Sequence, residues 1–366
     1  MISIGNLQIN KLCLGDVEVT KAYLGDVEVY SSTPQPVEKY MTMTVLDGDA
    51  GTTIAPNVTG TLSPNLQYRV NNGSWNDYVF GQTGDIQVVA GDVVQWKGVN
   101  ESGISTSYSN YLKFAISGNL VALSGNIMSL IDGVGDTAMI PCNYCFCKLF
   151  LKSNVKTVSS DFLPATTLSS GCYQGMFSNC SNLLQAPELP ATTLASDCYK
   201  NMLYGCTSLT QSPVLPATTL ASGCYYWLFG YCSNLVQAPE LPATTLASDC
   251  YQSMFYLCTS LTQAPELPAT TLASGCYRSM FSGCNLLTQA PVLPATTLAE
   301  WCYSQMFDNC RKLNYVKSLA TDITASNALN YWLDGVASSG TFVKPAGTSY
   351  PTGDSGIPSG WTISNI

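Results

Sequence analysis

One hexapeptide, Leu-Pro-Ala-Thr-Thr-Leu, occurs six times in this chain of 366 residues, at a constant step of 26 residues. Its first copy begins at Leu163. Twelve of the sixteen cysteines keep the same step, at residues 172, 198, 224, 250, 276 and 302 and at 180, 206, 232, 258, 284 and 310. A fixed period of this length is typical of a solenoid, in which each repeat packs on its neighbours. The sequence therefore predicts a stack of coils over residues 151–337.

Each repeat is predicted to hold one short helix and one extended segment. Cys198, Met202 and Cys206 are four residues apart, so on a helix they would form one apolar stripe, and Ser196 is placed to cap it. The run Thr-Gln-Ser-Pro-Val-Leu after Leu209 would stack in register as a parallel sheet. Pro213 donates no hydrogen bond there, so we expect only two or three paired residues per coil. These features predict a mixed α/β solenoid.

The pattern Cys-Tyr-x-x-Met-Phe-x-x-Cys-x-x-Leu-x-x-Ala-Pro-x-Leu-Pro resembles the leucine-rich repeats of the BspA-like, or treponemal-type, family. The resemblance covers about half of the chain. It implies a leucine-rich repeat architecture and use as an adhesin or surface protein with varied ligands. This chain departs from the family by a slightly longer unit and by the Ala-Pro inside the extended segment.

Residues 1–31 contain a second repeat of ten residues, in which Gly-Asn or Gly-Asp is followed by alternating apolar and polar residues. This pattern predicts short strands. Three such strands are too few to be stable alone, so the segment should dock on the rest of the chain, on another copy or on a larger assembly. It resembles N-terminal segments of virion proteins from tailed phages of gut bacteria. That resemblance implies other virion proteins as partners, with a homo-oligomer as the alternative.

The rest of the chain divides by its patterns. Residues 38–116 alternate in the manner of strands, with a hairpin signal at Asn72-Gly73, and predict an all-β Ig-like sandwich. Residues 117–150 are interpreted as the junction and N-terminal cap of the solenoid, and residues 338–366 as a C-terminal cap. The predicted strands lie at 41–45, 66–70, 78–80, 86–89, 93–96 and 111–116.

The cysteines are predicted to be reduced. The two cysteines of one coil are eight residues apart, about 12 Å along a helix, which is beyond the reach of a disulfide. We therefore expect stacked, buried thiols. Cys142, Cys145 and Cys147 form a Cys-x-x-Cys-x-Cys cluster, but the chain has no histidine to complete a zinc site. We interpret these residues as a degenerate first coil with buried thiols, and we predict no metal.

The composition argues against most enzyme classes. Without histidine, the usual Ser or Cys triads and most catalytic zinc sites are excluded. Glu188, Glu240 and Glu266 share one slot of the repeat, which indicates surface positions and not a catalytic pair. No catalytic residue and no cofactor is predicted. The net charge of −9 with scattered basic residues disfavours nucleic acid as a partner, and no stretch is apolar enough for membrane insertion.

A binding surface is predicted from what varies between the repeats. Five aromatic residues fall on three adjacent coils, and they are the candidate ligand-binding residues: Tyr204, Tyr226, Trp227, Tyr231 and Tyr256. Such a patch could stack sugar rings or contact a protein partner; packing against the sandwich or a sister subunit is the alternative. A row of glutamines at 185, 211, 237, 263 and 289 is expected to bond along the stack through its side-chain amides.

The function predicted is that of a non-enzymatic structural and adhesion protein in the virion of a tailed phage that infects gut bacteria. Its repeats would present a surface for a host glycan or protein. The first residues lack a basic and an apolar segment of the secretion type, which favours the virion. A bacterial cell-surface adhesin of the BspA-like kind is the first alternative, and a glycan-processing enzyme is the second.

Overall fold

The computed structural model describes residues 39–366 in full and, within residues 1–38, the backbone of six short strands. These strands form three antiparallel pairs: β1 (Ser3–Ile4) with β2 (Leu7–Gln8), β3 (Cys13–Leu14) with β4 (Val17–Glu18), and β5 (Lys21–Leu24) with β6 (Val27–Ser31). The chain divides into two compact units, Met1–Lys39 and Tyr40–Ile366. The predicted docking of the first segment lies outside the described residues.

The second unit begins with an all-β sandwich, as predicted. Its strands are β7 (Met41–Val45), β8 (Thr52–Thr59), β9 (Leu66–Val70), β10 (Asn76–Tyr78), β11 (Ile86–Val88), β12 (Val93–Lys97) and β13 (Tyr111–Ser117). One sheet begins with the order β10-β9-β12-β7, and the other has the order β11-β8-β13. In β7 the residues alternate between buried and half-buried, as expected for a strand with one face on the core. Trp96 and Phe114 meet edge to face inside the sandwich, at 4.9 Å between ring centroids.

Two details of the sandwich differ from the sequence prediction. Strand β8 was not predicted, and it contains Pro56, which pairs with Phe114 of β13. Proline is tolerated there because β11 pairs only with residues 52–54, so the opposite edge of β8 at Pro56 has no partner strand. The hairpin between β9 and β10 turns at Asn71 and Asn72, with φ of 51° and 58°, one residue earlier than predicted.

The sandwich continues directly into the repeats. Strand β14 (Val121–Ser124) pairs antiparallel with β7 and parallel with β15 (Val155–Val158), which lies in the first coil. Between these strands lies the helix α1 (Ser129–Asp132). The rings of Phe114, Phe150 and Phe177 stack in sequence at 5.9 and 5.4 Å. A single hydrophobic core therefore extends from the sandwich through the repeats.

The predicted mixed α/β leucine-rich repeat solenoid is wrong, because α1 is the only α-helix within residues 39–366. The segment predicted as a helix in each coil is a series of turns. Every fourth residue is left-handed, as at Asp197, Asn201 and Gly205, with φ of 56°, 55° and 70°. An α-helix requires negative φ at every residue, so a left-handed residue ends it after less than one turn.

The backbone hydrogen bonds of these turns alternate between two directions. The amide of Met176 donates to the carbonyl of Tyr173 in the same coil, at 3.1 Å. The amide of Tyr173 instead donates to the carbonyl of Cys198 in the next coil, at 3.0 Å. The same alternation recurs along the following coils. Neighbouring coils are therefore joined by main-chain bonds as well as by apolar packing, which satisfies buried polar groups that would otherwise be costly.

Identical side chains stack on each other between coils. The rings of Tyr173, Tyr199, Tyr225, Tyr251, Tyr277 and Tyr303 follow one another at 5.7 to 6.1 Å. The cysteines from residue 142 onward are free thiols, and those of the repeat are buried, as predicted. The second thiol of each coil donates to a carbonyl of the preceding coil, for example Cys206 to Phe177 at 3.2 Å and Cys232 to Leu203 at 3.1 Å.

The extended segments of the repeats make isolated parallel bridges, such as Gln211 with Gln237 and Thr219 with Thr245. This pairing is shorter than the predicted two or three residues. Pro213 follows Gln211 and Pro216 precedes Thr219, and neither proline can donate a hydrogen bond to a neighbouring strand. A three-stranded parallel sheet follows at the C-terminal end. It consists of β16 (Tyr315–Lys317), β17 (Gly340–Lys344) and β18 (Trp361–Asn365).

Candidate functional site

The five predicted aromatic residues form one cluster in the structure, here called the aromatic cluster. The Trp227 ring is central, because it lies near each of the other four. The distances from its centroid are 4.7 Å to Tyr256, 5.6 Å to Tyr204, 5.9 Å to Tyr231 and 6.5 Å to Tyr226. Tyr204 and Tyr256 also contact Tyr231, at 5.2 and 5.5 Å. The sequence prediction that these residues gather on three coils is confirmed at the level of ring contacts.

The cluster remains accessible to a ligand. The Tyr231 side chain is 39% exposed, and the other four aromatic residues are half-buried. Burial raises the pKa of Tyr204 and of Tyr256, and nearby tyrosines add to the effect. Both hydroxyls are therefore neutral at physiological pH, and each can donate a hydrogen bond at the rim of an apolar surface.

Two of the aromatic residues occupy backbone positions that bulky side chains avoid. Trp227 and Tyr231 have φ of 56° and 62°, in the left-handed region. The preceding coil places Asn201 and Gly205 at the same two positions, and these residue types tolerate that conformation; the following coil places Ser253 and Leu257 there. A left-handed conformation costs other residues roughly 1–2 kcal/mol each. Backbone strain of this kind concentrates at binding and active sites. The aromatic side chains are thus present at these positions despite the backbone preference.

A glycine provides the space in which the cluster is packed. A Cβ atom on Gly230 would lie 2.4 Å from Cε3 of Trp227 and 3.3 Å from Cδ2 of Tyr204. The neighbouring coils carry Tyr204 and Tyr256 in the same slot. Gly230 was not among the predicted site residues, although its departure from the larger residues of the adjacent coils is a signal for it.

The cation beside the cluster has two partners, while the Asp308 carboxylate acts on Tyr256 and helps to raise its pKa. Lys200 Nζ lies 4.9 Å from the centroid of the Tyr226 ring and 3.3 Å from Oδ1 of Asp197. The cation is therefore shared between an aromatic face and a carboxylate. Lys200 and Asp197 therefore form a neutral ion pair beside the aromatic surface.

A groove adjoins the cluster at Tyr204. Its volume is about 230 Å³, and its lining residues are Tyr108, Lys148, Leu151, Gly175, Ser178, Asn179, Asn201 and Tyr204. Lys148 Nζ lies 3.2 Å from the centroid of the Tyr108 ring and donates to the Tyr108 carbonyl at 2.9 Å. Tyr108 belongs to a loop of the sandwich, so this groove combines residues distant in sequence, which the repeat pattern could not predict.

The row of glutamines does not form the predicted ladder. All five side chains are exposed, and the structure records no hydrogen bond of their amide groups to other residues in the range 39–366. The prediction of amides bonded along the stack is therefore wrong. A cavity of about 420 Å³ lies between two coils on this face, with Gln237, Glu240, Gln263 and Glu266 among its lining residues.

Further observations concern metal binding, membrane crossing and the surface glutamates. Among the described residues, no three or more cysteine, aspartate or glutamate side chains are grouped in a way that could hold a metal ion. The same part of the chain contains no helix with the length and apolar character needed to cross a membrane. The predicted surface glutamates Glu188, Glu240 and Glu266 are all exposed.

Three comparisons with known proteins bear on the family of the chain. No protein-family model, no curated protein and no solved structure matches it. The relation to BspA-like repeats therefore stays a prediction from the repeat motif, and the role of the aromatic cluster has to be argued from its geometry.

Proposed function

We propose that this chain is a non-enzymatic adhesion protein that binds a host-surface glycan through the aromatic cluster. The observation that carries this proposal is the meeting of five aromatic rings around Trp227, with Trp227 and Tyr231 at left-handed positions. The preceding coil has Asn201 and Gly205 there, and the following coil has Ser253 and Leu257. Trp301 and Tyr331 also lie at left-handed positions, so the feature specific to Trp227 is the contact of its ring with four other aromatic rings on one accessible surface. A binding role accounts for that arrangement.

The chemistry of the surface favours a sugar over other ligands. The apolar face of a sugar ring packs on aromatic side chains, while its hydroxyls bond to polar groups at the edge. The aromatic cluster offers five rings, phenol hydroxyls and a neighbouring groove with two asparagines, Asn179 and Asn201. Lys200 is neutralised by Asp197, which suits an uncharged ligand.

The location that we propose is the virion of a tailed phage of gut bacteria, with the N-terminal segment bound to other virion proteins. The support is the resemblance of the ten-residue units to segments of such proteins. The three short hairpins of residues 3–31 are also too small to be stable by themselves. Mass spectrometry of purified virions tests this location, and detection only in bacterial envelopes would favour the cell-surface adhesin.

The test of binding is a double substitution that borrows residues from other coils. The variant carries Trp227→Asn and Tyr231→Asn. Other coils already have asparagine at the equivalent positions, Asn201 and Asn179, so the fold should be retained. The matched control is Tyr331→Asn, because Tyr331 occupies the slot of Trp227 in a distant coil and is 46% exposed. Binding is measured on a glycan array and on intact gut-bacterial cells.

We expect the double variant to bind at least about tenfold more weakly, which corresponds to about 1.4 kcal/mol, while the control binds like the parent chain. Periodate treatment of the cells should remove the binding, and protease treatment should not. Equal binding by the double variant would exclude the aromatic cluster as the site. Binding that survives periodate and is lost with protease would exclude a glycan receptor.

A further inference from the structure

Two thiols lie close together where the sandwich meets the first coil. Cys142 and Cys145 are separated by two turn residues, Asn143 and Tyr144. Cys142 is half-buried, whereas Cys145 is fully buried. Both sulfurs face Gly103 of a sandwich loop: a Cβ atom there would lie 2.2 Å from Sγ of Cys142 and 3.3 Å from Sγ of Cys145. The two sulfurs are therefore neighbours, and one of them is accessible.

The two thiols differ in acidity. The Cys145 thiol donates a hydrogen bond to the Cys142 sulfur, which lowers the pKa of Cys142. The same hydrogen bond, together with burial, raises the pKa of Cys145. A thiolate is the reactive form in thiol chemistry, so the more accessible sulfur is also the more nucleophilic one.

The other described cysteines have a different environment. Burial raises the pKa of Cys147 and of Cys180 to about 12. The Cys180 thiol also donates to the carbonyl of Phe150, at 3.0 Å. Such buried, protonated thiols are chemically inert. Cys142 is thus set apart from the structural thiols of the stack by its lowered pKa and partial exposure, and Cys145 by its contact with the Cys142 sulfur.

We propose that Cys142 and Cys145 form a thiol–disulfide exchange site for small external disulfides. The Cys142 thiolate attacks one sulfur of the external disulfide, forms a mixed disulfide and releases one thiolate. Cys145 then attacks the Cys142 sulfur of the mixed disulfide, and its proton passes to the departing second thiolate, which leaves as a thiol. The products are a Cys142–Cys145 disulfide and two small thiols, so two electrons pass from the protein to the external disulfide.

The turn between the two cysteines brings their Cα atoms close enough for this disulfide to form. The ends of a four-residue turn have Cα atoms less than about 7 Å apart, which overlaps the range of about 4.4–6.8 Å found in disulfides. The half-buried Cys142 thiol donates to the carbonyl of Ser105 at 3.5 Å, a bond that it gives up when it becomes a thiolate. The site is separate from the aromatic cluster, so this inference does not depend on glycan binding.

The test uses the full chain with Cys13→Ser, because Cys13 lies outside the fully described residues. The protein is incubated with oxidised glutathione, quenched with acid and examined by intact-mass and peptide mass spectrometry. We expect the loss of two hydrogens and a crosslink between Cys142 and Cys145. Cys145→Ser should accumulate one glutathionyl group on Cys142, and Cys142→Ser should not react.

Cys147→Ser is the matched control, since it removes a neighbouring buried thiol and should leave the exchange unchanged. Melting curves show whether each variant is folded before the reaction. In the native parent chain, iodoacetamide should modify Cys142 at least about a hundredfold faster than the repeat thiols. Exchange that persists in Cys142→Ser, the absence of a trapped adduct in Cys145→Ser, or equal alkylation of all thiols would each overturn the proposal.

Discussion

The hydroxyls of Tyr173, Tyr199 and Tyr225 are buried in the core and have no hydrogen-bond partner in the described structure. Their rings stack on neighbouring coils and provide apolar packing. A buried hydroxyl without a partner costs roughly 1–3 kcal/mol. At these positions the aromatic ring therefore stabilises the fold, while the hydroxyl opposes it.

We predict that Tyr199→Phe raises the free energy of unfolding by about 1 kcal/mol, because it removes the unpaired hydroxyl and keeps the ring. Urea denaturation followed by fluorescence measures the change. The control is Tyr350→Phe, since the Tyr350 hydroxyl donates to Oγ of Ser318 at 2.9 Å and its loss should destabilise the chain. A loss of stability in Tyr199→Phe equal to that in Tyr350→Phe would contradict the argument.

The turn segments of the coils are defined by their left-handed positions. Gly171, Gly175 and Asn179 repeat every four residues, and they suit positive φ. Tyr331 occupies one of these positions in the last coil, with φ of 51°. Its side chain is 46% exposed, so the ring contributes little packing there. Its amide donates to Oγ of Ser355 at 3.0 Å, a bond that does not depend on the side chain.

Tyr331→Asn should therefore raise the free energy of unfolding by about 0.5–1 kcal/mol, because asparagine tolerates the left-handed conformation and little packing is lost. The thermal midpoint and urea curves of the variant measure the gain. The opposite kind of change is Asn201→Val, which replaces an asparagine at a left-handed position with a β-branched residue. It should destabilise the chain by at least about 1 kcal/mol. Equal stabilities of the two variants would exclude backbone conformation as the cause.

The four-residue spacing explains both the success and the failure of the sequence prediction at this scale. Cys198, Met202 and Cys206 are all buried, as the predicted stripe requires. A stripe of this spacing arises from a helix, but it also arises from turns that repeat every four residues. The glycine and asparagine residues at the same spacing were the signal for the second possibility. The groove at Tyr204 had no such signal, because Tyr108 and Lys148 meet there only through the fold.

On the scale of the second unit, one hydrophobic core joins the sandwich, the coils and the C-terminal sheet, from Met41 to Trp361. A continuous core of this kind favours cooperative unfolding of the unit. The core is rich in thiols and phenols that burial keeps protonated. Burial raises the pKa of Cys232 to about 12, against an ordinary value of 9.0.

This core predicts that the unit loses stability at alkaline pH. Above about pH 9 the unfolded chain releases thiol protons that the folded chain retains, so the folded state binds more protons and the free energy of unfolding falls as pH rises. Each such thiol contributes about 1.4 kcal/mol per pH unit until its folded pKa is reached. The stability should be almost constant between pH 7 and 8 and should collapse between about pH 9 and 11, as urea curves at each pH would measure. Cys232→Ala should reduce the steepness by one thiol's share, whereas stability that stays constant to pH 11 would mean that these thiols are not buried in the folded chain.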